Sequence, residues 1–474
     1  MDATSTDLIW ASSQFMDGRQ REYVVYHQYV SGKQPIRFAT GRFEDAFGQQ
    51  FEKFAYNRTD SIVDAIADRL KVIGFDAAGQ YQAAADRAQQ IWDQNSLDSH
   101  EDDIETEALT SGDAYAIVEQ DVLDPAKVNI WPQYAQNIRV RYATGRPGEI
   151  EVAARQWVDG YESNRRIRLN LYYRDRIEKY RSVNKGEGVT LASDTRWEKV
   201  PPEDSGDRAW PVKLKITDTV PVFHFANNAR INGYGVSELK TVIPIQDALN
   251  KAVMDLLVGM EFSAFRQRVV LNVDLDDPKA EERVQQLEVG MNRLISLVST
   301  DPDMQAGITE FSATDVRQFV GPIDQFDTMI SRVSRIPVHY LQMGAAPESG
   351  EARRMAEAPF VAKIERLQTR FGDVISRMMT YAVRLVGDTS IPAGALETRW
   401  KSAMPLSDRE TLDFALARQS LGFPLKSNLR EMGRDADDIE EIMTEVAEEN
   451  ARRVAMFNSG NIDALPGFRI PTAD

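Results

Sequence analysis

The chain has 474 residues, 42% of them apolar and 27% charged, and a formal net charge of −17. That length exceeds one ordinary core, so two to four structural regions are expected, and the apolar share excludes a disordered chain. No cysteine is present, which excludes disulfides, cysteine nucleophiles and thiolate metal sites. The acidic balance argues against gripping nucleic acid by its phosphates, which takes clustered Lys and Arg. It leaves open a repulsive surface past which nucleic acid slides.

Met1–Trp10 carries two aspartates and no basic stretch, so no secretory signal is expected. The apolar stretch Ala252–Met260 is short and broken by Asp255, so no membrane span is expected either. Asn57-Arg58-Thr59 matches a glycosylation sequon and is read as chance.

In chain order, Thr59–Lys71 reads as an amphipathic helix with Ile62, Val63, Ile66 and Leu70 on one face. Ala83–Gln94 and Asp98–Thr110 are further helices, the second acidic at its start as the helix dipole prefers. Ala114–Glu119 reads as a strand. From Val128 to Val200 the pattern is mostly β, with strands at Asn137–Tyr142, Glu149–Val158, Arg166–Tyr173 and Arg176–Ser182. Asn184–Asp207 is polar and turn-rich.

Ser237–Phe262 has a helical stripe of Leu239, Ile243, Leu249, Val253, Leu256 and Met260, in which Pro244 either kinks the helix or marks its first turn. Short strands are expected at Arg266–Val273, Arg293–Val298 and Gly307–Phe311. Pro322–Arg335 is helical again and ends at Ile336-Pro337. Val338–Gly350 is a loop. Glu351–Val386 is a long helix interrupted near Pro359, and three helices follow at Leu412–Leu421, Ser427–Met432 and Asp437–Val454.

Residues for catalysis are sparse. The four histidines, His27, His100, His224 and His339, form no metal-binding pair and flank no nucleophile elbow. His224 sits in the apolar run Val222–Phe225, where a histidine satisfied within the fold is the favoured reading. No Walker-type phosphate loop occurs. Gly233-Tyr-Gly235 reads as a tight turn before a helix rather than as a phosphate cradle. Asp274, Asp276 and Asp277 read as a solvated turn, with a hard-cation site as the alternative. Arg165–Arg181 interleaves arginine, lysine and tyrosine, the best basic–aromatic stretch for nucleic acid. The alternation of Ile167, Leu169 and Leu171 favours instead the polar face of a β-hairpin.

Two stretches carry a family resemblance. Asn232-Gly-Tyr-Gly-Val-Ser-Glu-Leu239 followed by Ile245-Gln-Asp-Ala-Leu-Asn250 is one. The other is Arg332-Val-Ser-Arg-Ile-Pro337, then Ser349-Gly-Glu-Ala352, then Gln368 and Phe371-Gly372. In this order and spacing they resemble the portal proteins of long-tailed double-stranded DNA phages, most strongly over Asn232–Leu385.

The resemblance implies an α+β, multi-region fold. Its regions would be a wing (1–235 and 351–404), two stem helices (236–265 and 321–336), a clip (266–320), a tunnel loop (337–350) and a helical crown with its tail (405–474). Leu239, Gln246, Asp247, Asn250, Ile330 and Arg335 would belong to the stem. Gln342, Met343 and Glu348 would face DNA from a tunnel loop free of Lys and Arg between Val338 and Gly350.

The implied function is a non-enzymatic ring, a dodecamer, at one capsid vertex of the virion, assembled in the host cytoplasm. Double-stranded DNA would pass through it in packaging and ejection. Its implied partners are the terminase large subunit, a head-completion or adaptor protein and the major capsid protein, with scaffold as a further candidate and no membrane, metal or cofactor. An acidic channel is expected. The alternatives are a metal-dependent nucleic-acid-processing enzyme using carboxylates such as Asp274 and Asp276, and another oligomeric head–tail connector.

Overall fold

The computed structural model describes residues 3–35, 37–38, 55–77, 79–146, 148–207, 209–231, 233–264, 268–271, 294–297, 307–310, 317–342, 350–387, 391–404, 408–432 and 436–458. The chain divides into two compact units. Unit 1 comprises Met1–Asp17, Ile66–Val236 and Val361–Asp474, and unit 2 comprises Gly18–Ala65 and Ser237–Phe360.

The strands in chain order are β1 (Val72–Ala77), β2 (Asp113–Gln120), β3 (Val128–Tyr134), β4 (Ile138–Tyr142), β5 (Ile150–Asp159), β6 (Arg166–Tyr172), β7 (Arg176–Ser182), β8 (Trp197–Lys199), β9 (Val212–Lys213), β10 (Val222–Ala226), β11 (Arg268–Leu271), β12 (Leu294–Leu297), β13 (Gly307–Glu310) and β14 (Leu396–Trp400).

In unit 1, β2 lies between β10 and β3 in an antiparallel sheet. Its apolar run Ala114–Val118 is buried residue after residue, which suits a strand covered on both faces. The helix Leu97–Ser111 packs on it and ends at Gly112. Gly112 holds φ at 91°, a left-handed helix end that glycine adopts without a Cβ penalty.

A second antiparallel sheet runs β4-β5-β6-β7-β8, with β9 on β7. The N-terminal helix Ala3–Phe15, which the apolar pattern of the sequence did not single out, covers it. Ala11 and Phe15 meet Ala154, Leu169, Leu171 and Tyr180 in one core. The ribbon β1–β14 carries the helix Gly350–Val386. A Cβ on Gly372 would lie 2.8 Å from Trp400 Nε1, so the close approach requires glycine there.

The Gly-Tyr-Gly stretch is a turn pinned to this unit. A Cβ on Gly235 would lie 1.7 Å from the carbonyl oxygen of Gly112. The amides of Asn227 and Gly235 donate to Gly112 O at 2.8 Å and Asp113 Oδ1 at 2.6 Å. The Arg165–Arg181 stretch is the expected hairpin, and its cations other than Arg165 pair with carboxylates within the unit. Arg168 pairs with Asp159, Arg166 and Arg181 share Glu198, Arg176 meets Glu178, and Lys179 meets Asp207.

Unit 2 is mainly helical. Tyr23, Tyr26 and Tyr29, spaced three apart, bury one face of the helix Gly18–Val30, which has no apolar stripe to mark it. The helices Ile243–Ala264 and Arg317–Ser334 pack against each other. The first starts at Ile243 rather than Ser237. Pro244 falls in its first turn, where its missing N–H costs nothing, and 238–242 forms turns. Pro322 lies inside the second helix, which extends back to Arg317. Pro359 likewise lies inside an uninterrupted helix Gly350–Val386.

Arg335 ends the second helix in the left-handed region at φ 59°, and the Ile336 amide reaches back to Ser331 O at 3.2 Å. This is a Schellman-type end with arginine where glycine is usual. Between the paired helices in sequence stands the sheet β12-β11-β13, with β11–β12 parallel and β11–β13 antiparallel. The three short strands fall where the sequence reading places them. Asp274, Asp276 and Asp277 lie outside the described residues.

Candidate functional site

The polar run of the first paired helix organises unit 2. Gln246, Asp247 and Asn250 lie in the first turns of the helix and are buried, so each needs a partner. The partners of Gln246 and Asn250 come from the chain just before the helix Thr59–Ala67. Gln246 Nε2 donates to Tyr56 O at 2.6 Å, and its Oε1 accepts from the Arg58 amide at 3.0 Å. Asn250 Oδ1 accepts from the Tyr56 amide at 3.1 Å and from Gln246 Nε2 at 3.1 Å. Two carboxamides thus bind an extended backbone segment much as a neighbouring strand would.

That segment also reaches the second helix. The Arg58 guanidinium makes a forked ion pair with Asp327, from Nε to Oδ1 at 3.0 Å and from Nη2 to Oδ2 at 2.9 Å. It lies 4.4 Å over the Tyr56 ring and also donates to the Tyr56 hydroxyl. Asp327 is 2% exposed. Charged, bidentate and half shielded, this contact is of the strong kind.

On the other side, Tyr29 Oη donates to Asp247 Oδ1 at 2.7 Å. Burial pushes the Asp247 carboxyl above the usual carboxylate range, partly offset by the Tyr29 hydrogen bond. Burial, reinforced by that carboxylate, pushes the Tyr29 phenol up. Asn57 Nδ2 donates to the carbonyls of Tyr29 and Val30, and its Oδ1 accepts from the Thr59 amide. The sequon asparagine is therefore fully used inside the fold.

The remaining predicted residues are placed as follows. Leu239 is buried in the turn before the first helix, and Ile330 is buried on the second. Arg335 is exposed just past that helix. Gln342 Nε2 donates to Asp324 O at 2.7 Å, tying the residue after Leu341 back onto the second helix. Met343 and Glu348 lie outside the described residues. On the far side of that stretch, Glu357 faces Arg353 at 3.3 Å and His339 at 3.6 Å.

Sequence reasoning did not find Tyr29, Tyr56, Arg58 or Asp327. The available signal was the polar Gln-Asp-x-x-Asn run inside an apolar stripe, which calls for buried partners without saying which. His224 is satisfied within unit 1 by Asp113 and Tyr142, at 2.7 Å each. Among the described residues no group of three or more His, Asp or Glu is placed to hold a metal ion, and no helix is long and apolar enough to cross a membrane.

Two paired helices, joined by a polar clamp and separated in sequence by a small three-stranded sheet, are thus the frame of unit 2. The family model "Phage portal protein, SPP1 Gp6-like" matches residues 51–453, and the chain belongs to that family. The portal protein of Mycobacterium phage L5 is similar, 25% identical over 433 residues, covering 87% of this chain and 83% of that one. The portal protein of Mycobacterium phage D29 is 26% identical over 422 residues, covering 85% and 81%. The family is structural rather than enzymatic, and its members are virion components.

Proposed function

We propose that this chain assembles into a ring, a dodecamer, at one capsid vertex, through which double-stranded DNA enters during packaging and leaves during ejection. The observation that carries this reading is the family match across residues 51–453 together with the helix–sheet–helix order of unit 2. The helices Ile243–Ala264 and Arg317–Ser334 act as the stem, and β11–β13 as the clip between them. Residues 1–235 and 351–404 act as the wing, and the three C-terminal helices as the crown. The clip receives the terminase large subunit during packaging and a head-completion protein afterwards. The capsid protein surrounds the ring, with scaffold as a further partner during assembly.

In this assignment Gln246, Asp247, Asn250, Leu239 and Ile330 serve the stem from inside, because they are buried. The exposed stem side chains include Leu257, Met260, Met329 and Val333, apolar groups suited to neighbouring copies. Gln342, Met343 and Glu348 form the tunnel loop, and the chain's −17 charge favours an acidic, weakly binding channel wall.

Negative-stain imaging and native mass spectrometry of the purified full chain test the reading. A ring with a central hole near twelve subunit masses is expected. A monomer that stays monomeric at high concentration would overturn it. A channel wall dominated by exposed Arg and Lys in the imaged ring would overturn the acidic-channel assignment.

A further inference from the structure

Unit 1 contains a cavity of about 370 Å³ lined by none of the clamp, stem or tunnel-loop residues. Its walls come from the β4–β5 turn, the stretch 218–224 and the last turns of the helix Gly350–Val386. That volume falls in the range of small-ligand sites.

The hydrogen-bonding character of the walls differs from side to side. Asp113 is fully buried and accepts from the Gly235 amide and from His224 Nε2. The His224 proton therefore sits on Nε2, and Nδ1 accepts from the Tyr142 hydroxyl at 2.7 Å. With its proton committed, Tyr142 offers the cavity only oxygen lone pairs. Thr380 does the same, since its hydroxyl donates to Ser376 O at 2.7 Å.

Two of the lining residues carry buried donors without partners. The Tyr381 hydroxyl is buried, at 2% exposure, and bonds to nothing. Arg384 grips Asp218 with its terminal nitrogens, yet its Nε is buried and unpaired. Arg377 is exposed, and its Nε reaches only the Asp373 carbonyl of its own helix, at 3.2 Å.

Charge gives the third constraint. Among the lining residues, Arg384 is balanced by Asp218, and Glu149 by Arg174. Arg377 has no carboxylate partner among the described residues. One positive charge is left over. Val220, Val222, Phe223 and Val374 make up an apolar wall.

We propose that this cavity is a binding site for a monocarboxylate on a short apolar body with an adjacent N–H or O–H donor. The carboxylate takes Arg377, Arg384 Nε and the Tyr381 hydroxyl, and the donor takes Tyr142 and Thr380. An N-acylated amino acid and the C-terminal residue of a peptide share this chemistry. Leaving the two buried donors unmet is unfavourable, and an anion with acceptor oxygens satisfies both at once.

The test is calorimetric titration of the full chain with N-acetyl-L-valine, its uncharged amide, and a pentapeptide ending in valine. Saturable binding of N-acetyl-L-valine is expected, with the amide about ten-fold weaker or worse. Arg377→Gln, an exposed site that should not disturb folding, weakens the acid to a similar degree. Tyr381→Phe weakens binding several-fold while leaving thermal stability unchanged or raised, because it deletes an unsatisfied buried hydroxyl. A peptide that binds more tightly than N-acetyl-L-valine identifies the ligand as a protein segment; equal or weaker binding identifies a free small acid. Absence of saturable binding, equal affinity for acid and amide, or wild-type affinity in Arg377→Gln would overturn the proposal.

Discussion

The clamp between Arg58 and Asp327 makes a quantitative prediction. Asp327→Ala leaves the guanidinium of Arg58 largely buried without its forked partner, and Arg58→Ala leaves a carboxylate at 2% exposure without its ion-pair partner. Breaking a buried ion pair from one side costs about 3–5 kcal/mol, and partial exposure of Arg58 points to the low end, about 3 kcal/mol. Because Arg58 also presents its backbone to Gln246, the loss should spread to the first helix. At about 1.4 kcal/mol per decade, 3 kcal/mol corresponds to a loss of roughly two decades in local amide protection. Hydrogen exchange followed by mass spectrometry reads this directly at peptides covering 243–264 and 317–334. The double variant Arg58→Met with Asp327→Leu should recover most of the protection, since neither charge is then buried alone. Single variants that exchange within a factor of three of wild type, or a double variant no better than the sum of the singles, would refute the reasoning.

Three further outcomes are expected. Burial raises Glu101 to about 8 from the usual 4.5, and raises the neighbouring Glu105 well above it, so the folded chain holds protons that the unfolded chain releases. Stability should therefore be highest below pH 4.5 as regards these groups and decline as pH rises toward about 8, by up to about 1.4 kcal/mol per pH unit per group. Glu105→Gln should raise the urea midpoint at pH 8 and change little at pH 4. Arg335→Gly should stabilise unit 2 by about 0.5–1 kcal/mol by relieving the left-handed φ of 59°, seen as slower exchange at the end of the second helix. Gly235→Ala should cost about 3 kcal/mol or more, read in a thermal melt, because the added Cβ meets the backbone of Gly112 at 1.7 Å and backbone cannot swing aside.

Much of the architecture was legible in the residues. Period-2 alternation of Ile167, Leu169 and Leu171 located the hairpin, and the apolar stripe from Ile243 to Met260 located the first paired helix. Pro244 left two readings, and the structure selects the first-turn one, because there the missing N–H has no carbonyl to satisfy. The helices Ala3–Phe15 and Gly18–Val30 escaped because their periodicity is weak. The first pairs its apolar face with Leu169 and Leu171, and the second buries tyrosines, amphipathic residues that an apolar pattern undercounts.

What the sequence by itself determined was therefore class and family: an acidic, cysteine-free α+β chain whose ordered motifs over Asn232–Leu385 mark a portal protein. Local periodicity and turn chemistry act between near neighbours, so they can be read from one strand of text. The clamp could not be. Arg58 and Asp327 alone lie 269 positions apart, and nothing local says that they, Tyr29 and Gln246 meet. Only tertiary packing decides which buried polar group answers which, because each must find a partner somewhere once water is excluded. The same holds for the cavity around Tyr381, whose unpaired donors become visible only when the helix Gly350–Val386 is laid against β10 and the β4–β5 turn.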